Sequence, residues 1–178
     1  MSDKRQKIKG RRSGPTFAIK PHHIVRADTK NNHPSPASVL SHKASHLLDN
    51  LIAQFNGRNN GDISAAPKIM ALYGWTSQGS VYSGLVELLA LGFIEQTRQG
   101  GKNQYSLYAV TWLAIDDCDG KLDVNRCRQR FLFRFESLDE RKAYVFELAK
   151  LVKAFNFLSS FYSYDEAIEQ FVMFAEFI

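Results

Sequence analysis

The sequence has little cysteine and no long apolar run, and both absences limit the kind of protein it encodes. Cys118 and Cys127 are its two cysteines, they form no CxxC pair, and two cysteines do not make a disulfide framework. Free thiols are typical of a reducing cytoplasm. No stretch of about 18 apolar residues is present, so we expect no membrane span. Residues 1–15 lack the apolar region of a secretory signal, so the sequence predicts a cytoplasmic protein.

Catalytic and metal-binding motifs are also absent. The sequence contains no Walker motif, no GxSxG and no GxGxxG, and Gln99-Gly-Gly-Lys102 is too short for a phosphate loop. His42 and His46 lack the glutamate of HExxH and a third ligand, so we interpret them as flanking the apolar face of a helix. The acidic segment Asp116–Asp123 lacks the ligand register of an EF-hand and is predicted to be a solvated turn. We therefore expect no enzymatic activity, cofactor or metal.

Positive charge is concentrated at one end of the chain. The net charge is +5, and residues 1–30 contain nine Lys or Arg but two Asp, whereas residues 116–178 contain nine basic and twelve acidic side chains. Residues 1–15 are predicted to be a disordered basic tail. The tail either contributes non-specific phosphate contacts or is a solubilising arm, and both interpretations stay open. The tail residues predicted to contact phosphate are Lys4, Arg5, Lys7, Lys9, Arg11 and Arg12.

Two helices and a short strand are predicted in the first half of the region 16–115, which we expect to form one domain. Apolar residues recur at helical spacing over Leu40–Phe55, which predicts the first of these helices. A short strand is predicted at Asp62–Ser64. Ser64 is predicted to be the N-cap of a short helix that ends at Tyr73, with Pro67 tolerated in its first turn.

A third helix and a β-hairpin are predicted to follow. The helix covers Ser77–Leu91, with Ser77 as its N-cap and Gly92 after its end. Strands are predicted at residues 93–98 and 104–112, joined by a Gly-Gly tip. The aromatic residues near the hairpin are predicted to pack in the core rather than to stack on bases, and they are Trp75, Tyr105, Tyr108 and Trp112.

This order of helix, strand, helix, turn, helix and hairpin resembles a winged helix-turn-helix domain, with Ser77, Ser80 and Val81 at the start of the third helix and Gly92-Phe93-Ile94 entering the wing. The segments LSHKASHLLDNLIAQFNGRNNGDISA, GWTS, GFIEQTRQGG and YAVTWLAIDDCDGKLD look similar to small winged-helix proteins of phages, plasmids and other mobile elements. The resemblance implies an α+β fold, mostly α, with three helices and a wing. It also implies a nucleoid-associated bacterial protein that binds double-stranded DNA and regulates transcription or replication.

In such a domain the third helix presents its N-terminal side chains to base edges in the major groove. Gln pairs with adenine, and Ser donates or accepts a hydrogen bond. Gly79 and Gly84 are expected to allow close approach to DNA, and Glu87, the one charge on this helix, is predicted to lie on its polar face. The residues predicted to contact DNA are Thr76, Ser77, Gln78, Ser80, Tyr82, Ser83, Arg98, Lys102 and Asn103. Two alternatives stay open: Tyr82 flanks the core, and Arg98 and Lys102 belong to a solvated hairpin tip.

Residues 116–178 are predicted to be a linker and a Phe-rich helical extension, because ten of the thirteen Phe lie beyond position 130. Helices are predicted at Leu138–Leu158, where Ser137 and Glu140 form a capping box, and at Tyr164–Phe177. The first carries an apolar stripe, which either completes the core or forms a homodimer interface: Val145, Leu148, Ala149, Val152 and Phe155. Two further functions stay open for the whole chain, a protein-interaction module without specific DNA binding and an accessory replication-initiation protein.

Overall fold

The structure is a computed structural model that describes residues 20–101, 103–124 and 137–158, together with Glu166 and Ile168. Its elements in chain order are helix α1 His22–Val25, a 3₁₀ turn Pro36–Val39, helix α2 His42–Ala53, strand β1 Ile63–Ser64, helix α3 Pro67–Leu72, helix α4 Gln78–Ala90, strands β2 Ile94–Arg98 and β3 Leu107–Val110, a 3₁₀ turn Cys118–Gly120, and helix α5 Leu138–Leu158. The predicted basic tail, Lys102 and most of the predicted Tyr164–Phe177 helix lie outside the described residues.

Helix α2 is shorter than the predicted Leu40–Phe55. Ser41 is its N-cap, with an extended backbone and a hydroxyl that accepts a hydrogen bond from the Ala44 N–H at 3.2 Å. Beyond its last turn, the Gln54 amide donates to the Ser64 carbonyl at 3.0 Å and accepts from the Ser64 N–H at 3.1 Å. The end of α2 is thereby joined to strand β1.

The prediction that Ser64 caps the short helix is wrong. Ala66 is the N-cap of α3, and Pro67 is its first residue. Ser64 instead pairs with Leu107 in the sheet, so its backbone is extended. It lies two residues before the N-cap position. Its hydroxyl accepts a hydrogen bond from the Ala66 N–H at 3.2 Å, which stabilises the link between strand and helix.

The three strands form one antiparallel sheet in the order β1-β3-β2. The β2–β3 register runs from the pair Ile94–Val110 to the pair Gln96–Tyr108, and then shifts so that Arg98 lies opposite Leu107. Thr97 is the extra residue, which makes a β-bulge. Helices together with this small antiparallel sheet confirm the predicted α+β class.

The core lies where α2 and α4 pack together and against one face of the sheet. Gly84 allows this close packing, because a Cβ atom there would lie 2.9 Å from Leu47 Cδ2. Buried aromatic side chains from the hairpin region, Phe93 and Tyr108, complete this part of the core. Burial of such side chains is the main source of folding free energy.

Helix α5 matches the predicted range and packs against α4 and the first 3₁₀ turn. The Ser137 hydroxyl accepts from the Glu140 N–H at 3.1 Å, as expected for the cap. Leu148 and Phe155 are buried in the shared core, and the Arg141 guanidinium donates to the carbonyl and hydroxyl of Ser38. The centre of the predicted stripe therefore completes the core, whereas Val145 and Ala149 at its edge are exposed. None of the helices in the described ranges has both the length and the hydropathy of a membrane-spanning segment.

Candidate nucleic-acid interface

The N-terminal end of α4 presents a group of small polar side chains. Thr76, Ser77 and Gln78 are exposed, and Ser80 and Ser83 are partly exposed. The Ser77 hydroxyl accepts a hydrogen bond from the Ser80 N–H at 3.4 Å, so the predicted N-cap is confirmed. These hydroxyl and amide groups offer donors and acceptors of the kind that contact base edges.

Two residues that were expected to take part in DNA contact lie inside the fold. Tyr82 is 9% exposed and belongs to the core cluster. It lines a shallow cleft with Leu85 of the same helix and Tyr105 and Ser106 of the hairpin, which shows that α4 and the hairpin are adjacent. The expectation that Gly84 allows close approach to DNA is wrong, because Gly84 is buried and faces α2.

Glu87 is likewise not on a polar outer face of α4, which corrects the sequence prediction. The side chain is buried, and its carboxylate accepts hydrogen bonds from the N–H and the hydroxyl of Ser41. The reason is electrostatic, because the N-terminus of α2 carries unpaired N–H groups and a positive dipole end. The exposed part of α4 is therefore free of formal charge.

The turn before α4 is anchored to α2. The Trp75 indole N–H donates to the side-chain oxygen of Asn50 at 3.1 Å, and the indole stacks on His46 with a centroid distance of 5.6 Å. Gly74 has φ of +86°, a conformation that favours glycine. Trp75 thus holds the start of α4 against the scaffold helix, and His46 serves packing. Among the described residues, no group of three metal-binding side chains is present.

The hairpin carries the candidate phosphate contacts at its outer end. Arg98 is partly exposed, and its Nη2 donates to the Tyr105 carbonyl across the hairpin at 3.0 Å. Asn103 is exposed at the tip with φ of +67°, in the left-handed region that Asn tolerates. Gly100 is sterically required, because a Cβ atom there would lie 2.7 Å from the backbone nitrogen of Ser106. The tip thus has a defined shape.

The base of the hairpin is held by Asn60, which no motif in the sequence indicates. This residue is completely buried. Its amide nitrogen donates to the Val110, Leu113 and Ala114 carbonyls at 3.0, 3.1 and 3.0 Å, and its oxygen accepts from the Val110 N–H at 2.8 Å. Polar residues in a Gly- and Asn-rich loop are ordinarily read as a solvent-exposed turn, so composition alone does not reveal this role.

The acidic segment Asp116–Asp123 is a largely exposed turn, as predicted, and it also contacts the hairpin and its base. The Asp116 carboxylate accepts from the Asn60 N–H at 2.8 Å, and the Asp123 carboxylate accepts from the Gln99 N–H at 2.9 Å. The Lys121 ammonium donates to the Asp62 carboxylate at 2.6 Å, and this contact raises the pKa of Lys121. Each of these three carboxylates therefore binds either a backbone N–H or the Lys121 ammonium.

Cys118 lies in the same segment, and its surroundings disfavour the thiolate. Burial raises the pKa of its thiol, and the nearby Asp62 and Asp116 carboxylates raise it further. A raised pKa lowers the fraction of thiolate at neutral pH, and thiolate is the reactive form. The geometry therefore favours a structural role for Cys118 over a nucleophilic one.

The described candidate residues lie on two adjacent parts of the fold, with Thr76–Ser83 at the start of α4 and Arg98 and Asn103 on the hairpin. Lys102 and the basic residues of the tail lie outside the described residues. No protein family model, curated protein or solved structure matches this chain.

Proposed function

We propose that residues 16–115 form a winged helix-turn-helix domain that binds double-stranded DNA. The supporting observation is the topology, in which α2, β1, α3, α4 and the β2–β3 hairpin follow one another and the sheet order is β1-β3-β2. A capped helix with exposed polar residues then lies beside a hairpin that carries a cation. Such a pair suits a helix in the major groove with a wing on the neighbouring backbone.

The proposal divides the contacts between two surfaces. Gln78 and Ser80, at the uncharged start of α4, read base edges, because their side chains both donate and accept hydrogen bonds. Arg98 and Asn103 of the wing contact phosphate, which positions the domain without reading sequence. Lys102 and the tail residues from Lys4 to Arg12 are proposed from the sequence to add further phosphate contacts.

The biological role that we propose is regulation of transcription or replication of a mobile genetic element in the bacterial cytoplasm. This role follows from the sequence resemblance, and it needs no catalytic step or cofactor. A helix surface without formal charge is suited to specificity, since phosphate attraction from α4 itself is small. Affinity then depends on the wing and the basic tail.

Protein interaction through α5 is the second candidate function. The exposed side chains of this helix include large apolar ones, although its other face is in the core: Leu138, Val145 and Phe146. Apolar side chains grouped on a surface are typical of contact sites. In this case α5 binds another protein or a second copy of the chain, and the domain does not bind DNA sequence-specifically.

The test starts with selection of bound duplexes from a random library, followed by fluorescence anisotropy on the selected duplex and on a scrambled one. We expect the affinity for both to fall steeply between 50 and 200 mM salt, by a factor of about 10³ for roughly six phosphate contacts. Gln78→Ala is expected to reduce the preference for the selected duplex and leave the salt dependence unchanged. His23→Ala, which removes an exposed polar side chain on α1, serves as the control.

Two results would count against DNA binding. Absence of duplex binding at low salt, or binding that does not change with salt, would contradict the phosphate contacts. Unchanged discrimination in Gln78→Ala and in Ser80→Ala would show that α4 does not read bases. A stable complex formed through α5 in the absence of DNA binding would favour the second candidate.

A further inference from the structure

The bulge at Thr97 determines which face of the hairpin carries Arg98. Continuing the regular register beyond the pair Gln96–Tyr108 would place Arg98 opposite Ser106, on the face shared with Gln96 and Tyr108. Tyr108 belongs to the core, so that face packs against the helices. The extra residue places Arg98 opposite Leu107 instead, on the other face of the hairpin.

Thr97 is held by contacts from outside the hairpin. Its side chain is completely buried, and its hydroxyl donates to the Gly61 carbonyl at 2.6 Å. Its own carbonyl accepts from the Asp123 N–H at 2.9 Å. The loop before β1 and the acidic segment therefore hold the residue that has no partner on β3.

Arg98 is left as a cation that the described part of the protein does not neutralise. Its Nη2 donates to the Tyr105 carbonyl, its Nε–H is buried without a hydrogen-bond acceptor among the described residues, and no described acidic side chain forms an ion pair with it. An arginine has five N–H donors in a planar fork that suits phosphate. The contact with Tyr105 fixes the direction of the guanidinium before any ligand arrives.

We propose that Thr97 is a positioning residue for DNA binding, which presents Arg98 to the phosphate backbone through the bulge that its hydroxyl holds. This inference rests on the proposed DNA-binding function. Loss of the hydroxyl releases the bulge from Gly61, so the register of β2 and the direction of Arg98 become variable. Thr97 itself does not contact DNA.

The test compares conservative variants by the slope of log affinity against log salt on one duplex. Thr97→Val keeps the shape of the side chain and removes the hydroxyl, whereas Thr97→Ser keeps the hydroxyl. Thr111→Val is the matched control, because the Thr111 hydroxyl makes an equivalent bond to the Gly92 carbonyl at 2.6 Å at the other end of the hairpin. Circular dichroism confirms folding, and Thr97→Ala replaces Thr97→Val if the latter does not fold.

We expect Arg98→Ala to lower the salt slope by about 1 and Thr97→Val to lower it to a similar extent, with Thr97→Ser and Thr111→Val unchanged. Adding Thr97→Val to Arg98→Ala is expected to cause no further loss. A normal slope in Thr97→Val beside a reduced slope in Arg98→Ala would overturn the positioning role and leave DNA binding standing. Absence of salt-dependent binding in the unmodified protein would overturn both.

Discussion

Glu87 accepts two hydrogen bonds from Ser41, one from the backbone N–H at 3.0 Å and one from the hydroxyl at 2.8 Å. Ser41 is the N-cap of α2, so a carboxylate from α4 stabilises the start of the neighbouring helix. The one charged side chain of α4 is thereby used to join two helices. This pair also explains why the surface that we propose to read DNA carries no formal charge.

Replacement of Glu87 by Ala is expected to lower the free energy of unfolding by about 2 kcal/mol, since it removes two charge-assisted hydrogen bonds and leaves the Ser41 N–H unpaired. Chemical denaturation measures this change. Glu147→Ala is the control, because Glu147 is exposed and forms a surface ion pair with Lys150, and we expect little effect there. Equal stability of the two variants would contradict the role of Glu87.

Replacement of Asn60 by Ala is expected to lower the free energy of unfolding by about 3 kcal/mol, which corresponds to roughly 10 °C in Tm for a chain of this size. The change removes the side chain that pairs with the buried N–H and carbonyl of Val110. Asn60→Asp is expected to be at least as destabilising, because a carboxylate would face three carbonyl oxygens. Asn59→Ala is the control, because the Asn59 side chain makes fewer hydrogen bonds than that of Asn60. Thermal unfolding measures both variants, and a larger loss of stability in Asn59→Ala would contradict the role of Asn60.

Gly100 and Gly101 are adjacent, but we expect them to respond differently to alanine. A Cβ atom at Gly100 would lie 2.7 Å from the Ser106 nitrogen, whereas at Gly101 it would meet nothing within 4 Å. Gly100→Ala is expected to cost about 1–3 kcal/mol of stability by overpacking, and to weaken duplex binding if the wing contacts DNA. Gly101→Ala is expected to stay within about 0.5 kcal/mol of the parent. Thermal unfolding and anisotropy on both variants measure the difference.

Cys118 is expected to react slowly with iodoacetamide in the folded protein. The experiment uses a Cys127→Ala background, so that one thiol is followed. Because the pKa of the folded thiol is raised, the rate should rise with pH along a curve displaced to higher pH than in urea. The same shift stabilises the fold below the pKa of the unfolded thiol, and this contribution is lost as pH rises through the folded value. Coincident curves in the folded and urea-unfolded states would disprove the shift.

Local patterns were sufficient to predict most of the helices and the hairpin. Helical spacing of apolar residues locates α2 and α4, and the Ser77 and Ser137 caps lie where their sequence patterns place them. The turn residues between the strands indicate the hairpin. These features depend on residues a few positions apart, so no knowledge of tertiary contacts is needed.

The differences at Ser64, Glu87 and Asn60 concern partners that are distant in sequence. Ser64 was expected to cap a helix, but pairing with Leu107 and the contact with Gln54 hold it in a strand. Glu87 was expected at the surface, but its partner lies 46 residues earlier. The role of Asn60 depends on carbonyl groups about 50 residues later. No local pattern in the sequence encodes such pairs.

The amino-acid sequence by itself determined the α+β class, the order of the elements and the polar start of α4, because hydrophobic periodicity and capping act over one or two helical turns. Only the tertiary structure decided that Glu87 and Gly84 contribute to the contact between α2 and α4. It also decided that the bulge at Thr97 places Arg98 on the face of the hairpin opposite to that of Tyr108. The physical reason is that burial and long-range hydrogen bonds exist only once the elements have packed together. The same packing leaves Thr76, Ser77 and Gln78 exposed at the start of α4.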